Sequence, residues 1–136
     1  MAERTPREEA ERWLIEAHTN RRIVQTLFEQ GLYSQWAYHC QQTAEMALKA
    51  ILYNAGMRPF GHSLTDLLDT VEEHAVANPD VDVQEAAAKL NRHYIASRYP
   101  DAVKDVAPTD YYTQNMAEQT IEWADQILRF ALNILT

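Results

Sequence analysis

Apolar residues recur along most of the chain at steps of three and four positions, which is the spacing of an α-helix. The pattern predicts a first helix from about Arg7 to Glu29, with Thr5 as its cap and Pro6 in its first turn. Its apolar positions are Ala10, Trp13, Leu14, Ala17, Val24, Leu27 and Phe28. Asn20 and Arg21 interrupt this stripe. One of them is therefore expected to contact the cleft or the segment before the last helix, unless Arg21 simply extends to solvent.

A second helix is predicted from about Leu32 to Ala55, between Gly31 and Gly56. One face carries Tyr33, Ala37, Cys40, Ala44, Leu48, Ile51 and Ala55. A neighbouring row of mixed polarity carries Gln35, His39, Gln42, Met46, Lys49 and Tyr53. Because this helix is semi-apolar over much of its circumference, we expect it at the centre of the fold.

Three further helices are predicted in the second half of the chain. The third begins near Ser63 and is broken by Asn78-Pro79-Asp80, and the fourth runs from Asp82 to about Tyr94. An irregular stretch from Ile95 to Pro108 precedes the last helix, which is expected to begin near Thr109. Residues of the last helix at near-heptad spacing are Tyr112, Met116, Thr120, Trp123, Ile127, Phe130 and Ile134.

These elements predict an all-α protein with a single domain over residues 1–136, an up-and-down antiparallel bundle of four to five helices. The composition agrees, since the chain has only 3 glycines and 5 prolines and is 46% hydrophobic. The apolar residues exceed one stripe per helix, which favours a homodimer.

The charge and the single cysteine limit the function and the compartment. A formal net charge of −8 argues against a general affinity for nucleic acid, because phosphate neutralisation needs clustered cations. Cys40 cannot form an intramolecular disulfide, which suits a reducing compartment. No apolar N-terminal segment resembles a signal peptide, and no run approaches the roughly 18 residues that a membrane helix needs. We therefore expect a cytoplasmic protein.

Metal and cofactor motifs do not stand out in the sequence. The five histidines are dispersed, with no pair four residues apart, and the chain has no glycine-rich phosphate loop. We expect no metal and no cofactor.

Four segments together resemble the HEPN family. Residues 39–50 read HCQQTAEMALKA, close to the H-x-Q-Q-x-A-E-x-A-L-K-A run in the second helix of that family. Trp13-Leu14 with Gly31-Leu32-Tyr33, then His62-Ser63-Leu64, and then residues 94–102, YIASRYPDA, match further family features in the same order. The resemblance covers nearly the whole chain.

This resemblance implies a helical bundle that dimerises, with a cleft near the dimer axis. It implies one of two activities, which are nucleotide binding beside a minimal nucleotidyltransferase partner and metal-independent RNA cleavage as a toxin. In the toxin arrangement the partner protein supplies the antitoxin.

The ribonuclease motif of the family is incomplete in this chain. Its ribonuclease members carry an arginine followed, after four to six residues, by a catalytic histidine. At the corresponding positions Arg98 is followed by Val103, Lys104 and Asp105, and Arg92 is likewise followed by no histidine there. Without that group, assistance to 2′-hydroxyl attack or to leaving-group departure is missing.

Arg98, Tyr99 and Asp101 are the first candidates for a ligand site, since they lie in the irregular segment between helices. A guanidinium binds phosphate bidentately, a tyrosine stacks on a base, and a carboxylate accepts from an amine or hydroxyl. In the structural alternative, Arg98 and Asp101 pair with each other or cap helix ends, and Tyr99-Pro100 fills the core.

His39 and Lys49 are further candidates, because they share one face of the second helix with Gln42. That row can line a phosphate cleft opposite Arg98. Alternatively, His39 and Gln42 satisfy buried hydrogen bonds at the bundle or dimer seam. Asn20, a polar residue on the stripe of the first helix, is the remaining ligand-binding candidate.

Arg92-His93 could add positive charge to such a cleft, although His93 is more simply a partly exposed histidine at a helix end.

The leading hypothesis is a homodimeric nucleotide- or phosphate-binding module that works beside a nucleotidyltransferase-like protein and contributes binding rather than chemistry. The alternatives are a ribonuclease toxin with a degenerate site, for which RNA is the substrate, and a scaffold for protein interaction.

Overall fold

The computed structural model describes residues 3–74, 76–103 and 105–136, and these residues form helices and turns without strands. The helices are α1 (Pro6–Glu29), α2 (Tyr33–Asn54), α3 (Leu64–Glu73), α4 (Val81–Asn91), α5 (His93–Ala96), α6 (Pro108–Tyr111) and α7 (Gln114–Leu135), with a 3₁₀ turn at Pro100–Ala102. The five longer helices, α1 to α4 and α7, correspond to the predicted ones. The predicted all-α fold is therefore confirmed.

Side-chain caps set the N-termini of most of the longer helices. Thr5 accepts a hydrogen bond from the backbone of Glu8, and the Glu8 carboxylate accepts one from the backbone of Thr5, which completes a capping box. Ser63, Asp80 and Thr113 cap α3, α4 and α7 in the same way, each accepting from the backbone N–H three residues later. Local sequence thus determines where these helices begin.

Helix α2 is the central element of the bundle. It packs along α1 on one side and along α7 on another, and it also contacts α3, α4, α5 and α6. Buried residues occur around most of its circumference, as its sequence predicted, and most of the run from Cys40 to Glu45 is fully enclosed. Polar side chains on this run consequently need partners inside the protein.

Two predicted helix boundaries were wrong. The fourth helix ends at Asn91 instead of continuing to Tyr94, and a separate short helix, α5, follows Arg92. The last helix begins at Gln114 rather than near Thr109, and Tyr112 lies outside it in an extended conformation. The Tyr112 ring is turned instead toward His93, to whose Nδ1 its hydroxyl is hydrogen-bonded. Residues Pro108–Tyr111 form the separate turn α6, so the predicted helix is interrupted at Tyr112, where this tertiary contact is made.

Candidate functional site

The Arg98 guanidinium lies among three tyrosine rings. Its Cζ atom is 4.6 Å from the centre of the Tyr38 ring, 4.4 Å from that of Tyr94 and 4.8 Å from that of Tyr99. Contacts of this kind are attractive because the face of an aromatic ring is negative. Three of them hold the cation without neutralising its charge.

Two helices and the turn after α5 build this cluster. Tyr38 projects from α2 and Tyr94 from α5, whereas Arg98 and Tyr99 follow the end of α5. The Nε–H group of Arg98 donates to the backbone carbonyl oxygen of Tyr94 at 3.1 Å, which orients the guanidinium plane. Across residues 3–74, 76–103 and 105–136, no side chain forms an ion pair with Arg98, and its terminal amino groups donate to no protein acceptor.

The surroundings of Arg98 match the structural alternative only in part, since its Nε–H group donates to a carbonyl oxygen at the end of α5, whereas the other expected contacts are not seen in the described residues. Asp101 lies in the exposed 3₁₀ turn and makes no ion pair with Arg98 within the described part of the chain. Tyr99 is 48% exposed and Pro100 is also exposed, so the Tyr99-Pro100 pair does not fill the core. Arg98, Tyr99 and Asp101 thus share one accessible segment.

A second polar cluster adjoins the first through Tyr94. The His62 imidazole is stacked on the Tyr94 ring, with 4.3 Å between ring centres and 15° between planes. Its Nδ1 lies 3.0 Å from Oε1 of Glu45, a carboxylate whose side chain is only 2% exposed. Gln41 also donates to the His62 carbonyl oxygen at 3.0 Å. Helix α2 therefore fixes both the backbone and the ring of His62.

Lys49 and Gln42 are partners of the same Glu45 carboxylate. The Lys49 ammonium lies 3.1 Å from Oε2, and the Gln42 amide donates to Oε1 at 3.2 Å. Lys49 is buried, with its ammonium 5.3 Å from the centre of the Trp13 ring. Its positive charge is therefore directed at Glu45 inside the bundle, away from an open cleft.

His39, Asn20 and Arg21 lie on another side of α2. The Asn20 side-chain oxygen is 2.8 Å from Nδ1 of His39, and burial lowers the pKa of this histidine. Arg21 forms a bidentate pair with Asp125 of α7, with N–O distances of 2.6 and 3.2 Å. Within the described residues, neither Asn20 nor Arg21 forms the expected contact to the segment before the last helix. Helices α2 and α7 supply the partners instead.

His93 packs into an aromatic cluster between α5 and α7. Its ring is stacked near Trp123, with 6.2 Å between ring centres, and its Nδ1 is hydrogen-bonded to the Tyr112 hydroxyl. Burial, and then the nearby charge of Arg92, lower the pKa of His93 to about 4. Burial together with Tyr111 also raises the pKa of Tyr112 well above its usual value. The neutral His93 ring thus anchors the segment before α7, while Arg92 is exposed.

Sequence reasoning named Arg98 and Tyr99 but gave no role to Tyr38, Tyr94, Glu45 or His62. One usable signal was present, namely the spacing of four residues between Tyr94 and Arg98, which is a contact distance on a helix. The spacing of four residues between Glu45 and Lys49 was a second such signal. The contacts of Tyr38 with Arg98 and of Glu45 with His62 join residues that are far apart in the sequence, and local patterns do not encode them.

No group of three or more potential metal ligands occurs among the residues that the structure describes. No helix in that part of the chain is long and apolar enough to cross a membrane.

An open cavity of about 500 Å³ adjoins His62 and is lined mainly by the loop before α3 and by α3 itself. Arg98 does not line this cavity. The cluster of Arg98 and the three tyrosine rings lies at the surface instead, where Tyr99 is half exposed.

Two crystal structures resemble this chain along nearly its whole length. TT1696 from Thermus thermophilus is 37% identical, with a TM-score of 0.87 over 92% of this chain and 97% of that one. ST0689, described as an archaeal HEPN homologue, is 31% identical, with a TM-score of 0.78 over 93% and 98%.

A HEPN domain protein from Thermotoga maritima, 24% identical with a TM-score of 0.73, shares the fold over 91% of this chain and 97% of that one. A comparison with curated proteins found no match. The sequence model of the HEPN domain matches residues 10–135. The chain therefore belongs to the HEPN domain family.

Proposed function

We propose that this protein binds a nucleotide or another phosphate-bearing ligand through Arg98 and contributes binding rather than chemistry. The observation that carries the proposal is the guanidinium among three tyrosine rings, with its terminal amino groups free of protein acceptors in the described chain. A fixed guanidinium matches two phosphate oxygens at once, and its positive charge is not used by a carboxylate of the protein.

Tyr99 and Asp101 extend the proposed site beyond the phosphate. The Tyr99 ring is half exposed beside the guanidinium, so one part of it remains available to stack on a base. Asp101 is exposed in the next turn and can accept a hydrogen bond from a sugar hydroxyl or an amine. His39, Lys49 and Asn20 have partners inside the bundle, so we assign them to the support of α2.

We further propose that the protein is a homodimer and that its partner is a nucleotidyltransferase-like protein. Ile15 and Ile23 support the dimer, because they are 62% and 37% exposed on one side of α1. The partner rests on family membership. Light scattering after gel filtration tests the dimer, since Ile15→Asp should convert a two-chain particle into a monomer.

Calorimetric titration with ATP, GTP and AMP tests the binding proposal. The wild-type protein should bind at least one nucleotide saturably, and Arg98→Ala should weaken that binding at least tenfold, because a charge-assisted bidentate contact is lost. Arg22→Ala is the matched control, since Arg22 is an exposed arginine of α1 outside the cluster, and it should bind as the wild type does. A folded wild-type protein that binds none of the three nucleotides would refute the proposal.

A further inference from the structure

His62 is a second basic group beside the proposed site, and only one edge of it is engaged by the protein. Nδ1 contacts Glu45, which is buried, whereas the His62 side chain as a whole is 53% exposed. Nε2 is the ring nitrogen that this contact leaves available on the exposed side chain. In the described residues, no protein atom is hydrogen-bonded to Nε2.

The partners of Glu45 determine which nitrogen of His62 carries a proton. The carboxylate faces the Lys49 ammonium at 3.1 Å and the Gln42 amide at 3.2 Å, so it is surrounded by donors. An ionised carboxylate only accepts hydrogen bonds, and Nδ1 must therefore carry a proton that it donates to Oε1. In the neutral ring Nε2 holds a lone pair, and gain of a proton there converts it into a charged donor.

Tyr94 brings this edge within reach of a ligand on Arg98. The His62 ring centre and the Arg98 Cζ atom lie 4.3 and 4.4 Å from the centre of the same Tyr94 ring. A phosphate with hydrogen bonds of ordinary length on two of its oxygens spans donors roughly 8 Å apart. These two distances place the His62 ring centre and Cζ of Arg98 at most about 9 Å apart, which is close to the span of one phosphoryl group at the edge of the Tyr94 ring.

We propose that His62, held by Glu45, is a second phosphate ligand of the Arg98 site and binds in its protonated form, so that affinity rises as the pH falls. This inference rests on the proposed function, because it needs an anion on Arg98. It adds a ligand residue from the loop before α3 and makes binding dependent on protonation.

Some charged groups around His62 favour protonation of its ring, and others oppose it. Glu45 of α2 favours the imidazolium, and Asp66 of α3, which lines the adjoining cavity, adds a further negative charge. Three positive charges oppose the imidazolium, namely those of Arg98, of Arg58 in the loop and of Lys49 behind Glu45. The uncharged Tyr94 ring is the surface on which the His62 ring is stacked. A bound phosphate adds negative charge at Nε2, so anion binding and proton uptake should reinforce each other.

Titration with sulfate measures this coupling without interference from the ligand. Sulfate has the shape of phosphate, and its charge does not change between pH 5.5 and 7.5, so any pH dependence belongs to the protein. The wild-type protein should bind sulfate about tenfold more tightly at pH 5.5 than at 7.5, a difference typical of one charge-assisted hydrogen bond. His62→Gln should remove this difference, whereas His18→Gln, at an exposed histidine of α1, should retain it.

A second measurement uses the wild-type protein alone, so its result does not depend on whether a variant folds. Sulfate titrations at pH 6.5 in two buffers with different ionisation enthalpies report the protons taken up on binding, and part of one proton is expected. If AMP binds through Arg98 and sulfate binds there without proton uptake, His62 is not a ligand, although the proposed function stands. If neither anion binds at any pH, both proposals fail.

Discussion

Tyr94 contacts the guanidinium of Arg98, four positions later, through both its ring and its backbone. The ring centre lies 4.4 Å from Cζ, and the carbonyl oxygen accepts from Nε at 3.1 Å. A side chain that is already oriented loses less conformational entropy when it binds a ligand. The preorganised guanidinium therefore lowers the entropic cost of binding that the proposed function requires.

Replacement of the Tyr94 ring should weaken ligand binding without any change to Arg98 itself. Tyr94→Leu removes the ring that contacts both Arg98 and His62, and we expect AMP affinity to fall about tenfold. Tyr94→Phe should bind nearly as the wild type does, because the ring makes these contacts and the hydroxyl does not. Calorimetric titration of both variants checks this, and equal affinities for Leu and Phe would contradict it.

Neutralisation of Glu45 should destabilise the whole bundle. Glu45→Gln leaves the buried Lys49 ammonium without its carboxylate, and an unpaired buried charge costs about 3–5 kcal/mol of unfolding free energy. Urea denaturation at neutral pH measures this loss.

The double variant Glu45→Gln, Lys49→Met distinguishes loss of a pair from loss of packing. Because it removes both charges, it should recover part of the stability that the single variant loses. If the double variant is no more stable than Glu45→Gln alone, the ion pair is not the reason for the loss.

His93 should make the protein less stable in mild acid. Its pKa is about 4 in the folded protein, mainly because the ring is buried, and about 6.5 in the unfolded chain. The unfolded chain therefore binds more protons between these values. Stability is fully present above pH 6.5 and falls, by at most ~3 kcal/mol, as the pH decreases toward 4.

Urea denaturation between pH 4.5 and 7.5 tests this dependence. The unfolding free energy should change less with pH in His93→Gln than in the wild-type protein. His39 should cause part of the remaining pH dependence, since burial lowers its pKa as well. His18→Gln should keep the wild-type slope, because His18 is exposed. An unchanged slope in His93→Gln would show that other groups cause the acid sensitivity.

The Arg21–Asp125 pair should contribute more to stability than an exposed ion pair does. Both side chains are largely covered, at 29% and 31% exposure, and two hydrogen bonds join them. Asp125→Asn should cost about 1–2 kcal/mol of unfolding free energy. Glu11→Gln, which breaks the exposed pair with Arg7, should cost no more than about 0.5 kcal/mol. If urea denaturation shows similar losses of unfolding free energy for the two variants, this prediction is wrong.

Much of the bundle was predictable because helix signals are local. Apolar periodicity located the five longer helices, and the cap at Thr5 marked where the first of them begins. The break at Tyr112 was not predictable, since periodicity continues through it and the competing contact comes from His93. Tertiary contacts of this kind override local preference.

Only part of the candidate site could be predicted. Arg98, Tyr99 and Asp101 are consecutive or nearly so, and they lie in an irregular segment where functional groups are commonly displayed. His39 and Lys49 were predicted to line one cleft from a shared helix face, but their partners, Asn20 and Glu45, turn them toward the interior. A helix face is visible in a sequence, whereas the element that covers it is not.

The sequence by itself determined the all-helical class, the central position of α2 and the arginine on which the proposed function rests, because these follow from short-range periodicity, composition and family motif. Only the tertiary structure decided that Tyr38 and Tyr94 enclose Arg98 and that Glu45 orients His62 beside them. The physical reason is that local backbone preferences act over a few residues. The contacts of this site, by contrast, depend on how α2, the loop before α3 and α5 pack together.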